Sequence, residues 1–165
     1  MKAVLISIRQ EWCSLIASGQ KTIEVRKTKP KLDTPFKVYI YCTKSKKKTR
    51  IDWIDKALGG GMVIGEFVCD RIDYTTKDNI KTISEASCVP VADLWEYGRK
   101  SSAYGLIGWH ISELVIYEKP KELKEFHKVG YTKTKNSVFG WTFEEETSWQ
   151  VSRPPQSWCY VEEQV

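Results

Sequence analysis

Apolar and polar positions divide the chain into short segments of two kinds. Residues 3–8, Ala3-Val4-Leu5-Ile6-Ser7-Ile8, make an apolar run too brief for a helix and rich in β-branched side chains, which predicts a buried strand. From Gln10 to Ser18, Trp12, Leu15 and Ile16 recur at helical spacing, and Gly19 stands where a left-handed helix cap is expected. Residues 21–27 then alternate strictly. Ile23 and Val25 point one way, and Thr22, Glu24 and Arg26 the other, as in a half-buried strand with a polar face.

Pro30 and Pro35 punctuate a loop before a strand over 36–43. Residues 52–58 predict a helical turn that Gly59-Gly60-Gly61 breaks, and residues 62–74 read as one long strand in which Gly65 marks a bulge or a close approach. Residues 82–99 are helical in patches, the best being 91–97, where Trp95 is assigned to helix packing. Residues 109–117 return to strand and Pro120 opens a short helix. Residues 127–150 show no clean period, and 128–152 read as a long loop that covers a cleft or moves. A last strand spans 157–161. Six or so strands with scattered short helices predict an α+β domain over residues 1–165, built on a mainly antiparallel sheet or small barrel.

Composition narrows the picture. With 41% apolar residues and seven tryptophans the 165-residue chain has enough to bury to fold as one domain. No apolar run is long enough to span a bilayer, and Arg9 and Glu11 come too soon for a signal peptide, so no membrane contact and a cytoplasmic location are expected. The five cysteines are widely separated with no Cys-x-x-Cys pair, which predicts reduced, mostly buried thiols, no metal site and no cofactor. The glycine cluster lacks the spacing of a dinucleotide or phosphate loop.

The net charge of +5 conceals an asymmetry: residues 1–56 carry 14 Lys+Arg against five Asp+Glu, a sum of +9, and the remainder sums to −4. A basic surface attracts polyanions by releasing their counterions. Lys46, Lys47, Lys48 and Arg50 form either such a phosphate-tracking surface or a solvated basic loop.

The richest stretch for chemistry is Gly19-Gln20-Lys21-Thr22-Ile23-Glu24-Val25-Arg26. Glu24 and Arg26, two apart on a strand, share a face, with Lys21 at its entrance. The carboxylate accepts from amino groups, the guanidinium forks onto phosphate or carbonyl oxygens, and the ammonium supplies a point charge or, if desolvated, a base. The plainer reading is a surface Glu24–Arg26 pair on an edge strand.

The run Leu5-Ile6-Ser7-Ile8-Arg9-Gln10-Glu11-Trp12 followed by Gly19-x-Lys21-x-x-Glu24-x-Arg26 resembles the ASCH domain (activating signal cointegrator homology) of the PUA-like superfamily. Residues 63–69, Trp109-His110-Ile111-Ser112 and the tail 153–161 add to the resemblance. It implies a small β-barrel with flanking helices and a cleft beside the signature strand, in a superfamily associated with RNA and modified nucleotides. On that basis RNA or a modified nucleoside is the expected partner, with Lys21, Glu24, Arg26, Arg9, Trp12, Ser157 and Trp158 around the ligand.

The same resemblance implies an enzymatic alternative, since some ASCH proteins deacylate N4-acetylcytidine with a lysine, a threonine and a glutamate, and others have been considered ribonucleases. Lys21 matches the lysine, but Glu24 stands where the threonine nucleophile would be, so Lys21 and Glu24 are the catalytic candidates only if the chain is an enzyme. Glu66 is a guess for the third member. His110 reads as a hydrogen-bonded structural histidine and His127 as exposed. Trp12 reads as core or cleft floor and Trp158 as the aromatic of the cleft, where an indole can stack on a base.

Overall fold

A computed structural model describes residues 1–44, 59–98, 104–135 and 142–164. Lys46, Lys47, Lys48, Arg50, the helical turn expected over 52–58, Trp53 and Trp141 lie outside the described residues. Ten strands are present among them: β1 (Lys2–Ile8), β2 (Ile23–Arg26), β3 (Phe36–Cys42), β4 (Met62–Cys69), β5 (Ile72–Tyr74), β6 (Ile107–His110), β7 (Ser112–Lys121), β8 (His127–Lys135), β9 (Thr142–Gln150) and β10 (Trp158–Glu162). The α-helices are α1 (Gln10–Ala17), α2 (Ile80–Ser87) and α3 (Val91–Gly98).

The strands form two sheets, one of seven in the order β7-β4-β3-β1-β10-β8-β9 and one of three in the order β2-β6-β5. All pairings are antiparallel except β1 with β3. The fold is mixed α+β, but both sheets are open, so the expected closed barrel is replaced by two stacked layers.

Alternation along β1 explains the stacking. Val4, Ile6 and Ile8 join Val38, Ile40 and Phe67 on one face of the large sheet, against Cys13 and Ile16 of α1 and Ile107 and Trp109 of the small sheet. Ala3 and Leu5 point to the other face with Tyr39, Tyr41, Phe126 and Val161. The small sheet turns Ile23 and Val25 outward onto Ile80 and Ile83 of α2 and Leu94 of α3. Its other face, carrying Glu24, Arg26 and Trp109, therefore lies between the two sheets.

Four expectations are corrected here. The stretch 62–74 is two strands, because the chain turns at Asp70 and Arg71 from the large sheet into the small one. The stretch 109–117 likewise divides at Ile111 between β6 and β7. Pro120 sits within β7, and the short helix that follows is a 3₁₀ turn over Leu123–Glu125. The supposed loop 128–152 is the β8–β9 hairpin, in register from His127 opposite Gln150 to Lys135 opposite Thr142.

Gly19 adopts φ +76° after α1, as its capping position requires. The reading of Gly65 also holds, since the β4–β7 register shifts between Val63 and Gly65. A Cβ there would stand 2.4 Å from the Val115 carbonyl oxygen, a backbone atom that cannot turn aside. Gly65→Ala is expected to destabilise the chain by about 1–3 kcal/mol, read from urea denaturation midpoints.

Candidate functional site

The loop after α1 delivers Lys21 inward, and β2 follows with Glu24 and Arg26. Lys21 is not at an entrance: its side chain is 2% exposed, with Glu24 at 8% and Arg26 at 13%. Glu24 is gripped at both oxygens. Lys21 Nζ lies 3.2 Å from Oε2, and an Arg26 terminal nitrogen lies 3.0 Å from Oε1. The plain reading of a surface pair therefore fails, because the polar face of β2 is buried against the large sheet.

The surroundings complete the cations' hydrogen bonding. Lys21 Nζ donates to the Ser87 carbonyl at 2.7 Å, one of the carbonyls that the last turn of α2 leaves free, at the negative end of its dipole. The ammonium also sits 5.2 Å over the Trp12 ring, a cation–π contact. Arg26 donates to the Ser7 carbonyl at 2.7 Å. Ser7 in turn receives the tail, because its N–H donates to Ser157 O at 2.9 Å and its hydroxyl to Pro155 O at 2.6 Å.

Two donors remain. Arg26 Nε and Trp109 Nε1 are buried without a hydrogen-bond partner. Trp109 is the register partner of Glu24, so both project from one face of the small sheet. Beside them Trp158 packs on Trp109 with ring centroids 6.1 Å apart, and Trp158 Nε1 donates to Thr28 Oγ1 at 3.1 Å. Tyr97 of α3 closes another side; burial raises its phenol pKa, with Arg26 opposing and Glu24 adding to the rise. With ordinary charges, Lys21, Glu24 and Arg26 sum to one positive charge. An anion or a carbonyl acceptor is what such a site can take.

The expected site residues divide clearly. Lys21, Glu24, Arg26, Trp12, Ser157 and Trp158 come together, whereas Arg9 projects from the start of α1 into solvent, 3.9 Å from Glu11. Thr22 is exposed and its hydroxyl faces the Ala86 carbonyl. Glu66 is excluded as a third member. It pairs in register with Tyr39 and so points to the opposite face of the large sheet, where Lys37 at 3.1 Å and the Tyr117 hydroxyl hold it. Trp95 is half exposed and meets Tyr104 edge-on, against the expected packing role. His110 bonds Asp73 at 2.7 Å beside Arg71, and His127 is exposed.

The five cysteines are free. Hydrogen bonding to Cys42 and burial push the Cys13 thiol up, and burial with the Asp70 charge pushes Cys69 up to about 12. These thiols are protonated and poor nucleophiles. Among the described residues no cluster of His, Cys, Asp and Glu could hold a metal ion. No described helix is long and apolar enough to cross a membrane.

Sequence reasoning missed Ser7, Tyr97 and the Ser87 carbonyl. Ser7 carried a signal, as the one polar residue in the run 3–8. Tyr97 carried none, and a backbone carbonyl has no signature of its own.

A model of the ASCH domain family matches residues 6–136. The chain belongs to the ASCH domain family. The crystal structure of ASCH from Zymomonas mobilis is similar at TM-score 0.61 and 18% identity, covering 98% of this chain and 88% of that one. A tyrosine-to-phenylalanine mutant of that protein matches at TM-score 0.63 and 17% identity over 99% and 92% of the two chains. A serine-to-alanine mutant matches at 0.63 and 16%, over 98% and 89%. At such identity the likeness carries the fold and nothing finer. No curated protein matches the ASCH chain by sequence.

Two measurements probe this geometry. Glu24→Ala leaves two buried cations facing each other and is expected to cost about 3–5 kcal/mol in urea denaturation. Replacing all three as Lys21→Met, Glu24→Leu and Arg26→Leu should cost much less, since no buried charge is then left alone. Glu66 tests the other face. Burial raises its pKa, but the hydrogen bonds from Tyr117 and Lys37 outweigh it and hold the folded value below the ordinary one. Its stabilising contribution is thus present above the unfolded value and lost as pH falls through the folded one. Glu66→Gln should flatten the loss of stability below about pH 4, read from urea midpoints across pH.

Proposed function

We propose that this ASCH domain binds RNA or a modified nucleobase at the site formed by Lys21, Glu24, Arg26 and the aromatic residues around them. The observation that carries the reading is the pair of unpartnered buried donors, Arg26 Nε and Trp109 Nε1, beside a triad with one positive charge in excess. Buried donors are rarely left unpaired, and an indole N–H in particular usually finds an acceptor. A nucleobase offers carbonyl and ring-nitrogen acceptors in one plane, and the partly exposed Trp158 ring stands beside the donors.

Hydrolysis at the same place is not part of the proposal. Glu24 occupies the nucleophile's position in the resemblance and is held by cations at both oxygens, while Lys21 is engaged with Ser87, Glu24 and Trp12 together. A carboxylate paired with a cation at each oxygen is a weak nucleophile.

The test is titration of the protein with cytidine, N4-acetylcytidine and short RNAs, followed by tryptophan fluorescence and by chromatography for product. Binding without turnover is expected. Arg26→Ala, checked for folding by circular dichroism, should weaken it by about tenfold or more, the worth of a charge-assisted hydrogen bond. Product formation abolished by Lys21→Ala would replace this reading with the hydrolytic one, and absence of binding at low salt would end it.

A further inference from the structure

Between β2 and β3 the chain runs Lys27-Thr28-Lys29-Pro30-Lys31, with a lysine at every second position and no acidic residue from Arg26 until Asp33. The three lysines are exposed, while Pro30 between them is buried. The segment is fastened at two points to one strand. Trp158 Nε1 donates to Thr28 Oγ1 at 3.1 Å, and the Lys31 N–H donates to the Tyr160 hydroxyl oxygen at 2.6 Å.

Trp158 and Tyr160 alternate on β10 and share its face, their rings meeting edge-on at 5.4 Å. At the other end Lys27 Nζ stands 4.7 Å over the Tyr97 ring, the same ring that borders Arg26 and Glu24. The backbone of the segment is thus fastened at Thr28 and Lys31, and Lys27 lies over an aromatic ring, immediately after the last residue of the buried triad.

The geometry points to this strap as the surface that carries the phosphate backbone of a single-stranded RNA past the buried triad. It rests on the reading that the site takes a nucleobase. Lysines supply point charges for phosphate, and their engagement releases condensed counterions whatever the sequence. The partly exposed Trp158 and Tyr160 rings beside it favour a nucleic acid over an acidic peptide, because bases stack on aromatic faces and carboxylates do not. A single strand is required, since a base must leave its helix to reach the site.

The experiment measures anisotropy of a short fluorescein-labelled single-stranded RNA from about 50 to 200 mM salt. It compares wild type with the triple variant Lys27→Ala, Lys29→Ala, Lys31→Ala, whose folding is checked by thermal melting. Free-nucleoside binding is followed in parallel by tryptophan fluorescence. The log affinity against log salt slope is expected to fall by about two, at roughly 0.7 per phosphate contact on a single strand, with nucleoside affinity unchanged. An unchanged slope overturns the strap, and persistent nucleoside binding would show that the site's reading survives it. A reduced slope without nucleoside binding keeps the strap and removes the site's reading. Absence of RNA binding, or displacement of RNA by polyglutamate at equal charge, overturns the RNA assignment.

Discussion

Glu24 is a carboxylate shut between two sheets with a cation on each oxygen, and much of the structure exists to make that tolerable. Each buried ion costs several kcal/mol of lost hydration, recovered only when its partners are complete. Completing them draws in distant parts of the chain. Lys21 needs the last carbonyl of α2 and the face of Trp12 on α1, and Arg26 needs the carbonyl of Ser7 on β1. Ser7 then ties the tail at Pro155 and Ser157. One charged cluster thus sets the small sheet, two helices and the tail relative to the large sheet. Such an arrangement adds little net stability over apolar packing but rejects displaced arrangements strongly, since any shift strands a charge.

The hydrophobic period made β1, α1, the Gly19 turn and the later helices legible, because each presents one face of contrast. On β2 the same period misled about the inside. Alternation shows that two faces differ, yet Ile23 and Val25 pack on helices while Glu24 and Arg26 are covered by the other sheet, so neither face is wet. The β8–β9 hairpin escaped for the opposite reason. Tyr131 and Trp149 are exposed while Val129 is buried, so large apolar side chains stand on wet positions as well as dry ones and no clean rhythm results. The strands that divide at Asp70 and Ile111 read as continuous although adjacent polar pairs, Asp70-Arg71 and Ser112-Glu113, stand at each corner, because two polar residues alone do not distinguish a change of sheet from a solvated stretch of strand.

The motif located the site more accurately than it described it. Gly-x-Lys-x-x-Glu-x-Arg brought the three ionisable residues together, and the resemblance in the tail brought Trp158 beside them. What it could not convey was occupancy of their hydrogen-bonding capacity, which depends on carbonyls of Ser7 and Ser87 far away in sequence. That occupancy decides the chemistry. A lysine free in solvent and a lysine fixed by a helix end, a carboxylate and an indole are the same letter in different surroundings.

The charge asymmetry resolves in the same way. Part of the excess over residues 1–56 is met by acids of the later chain. Lys2 pairs with Glu146 at 2.9 Å, and Lys37 sits 3.1 Å from Glu66 and 3.9 Å from Glu163. These contacts lie on the hairpin and on the far face of the large sheet. The positive charge left by Lys21, Glu24 and Arg26 is buried beside two open donors, and Lys27, Lys29 and Lys31 follow it in solvent. Screening removes interactions between exposed charges beyond about 8–10 Å but acts far less on buried ones. The exposed lysines therefore govern how a polyanion arrives and how salt affects it, and the buried charge governs what is held once it has arrived.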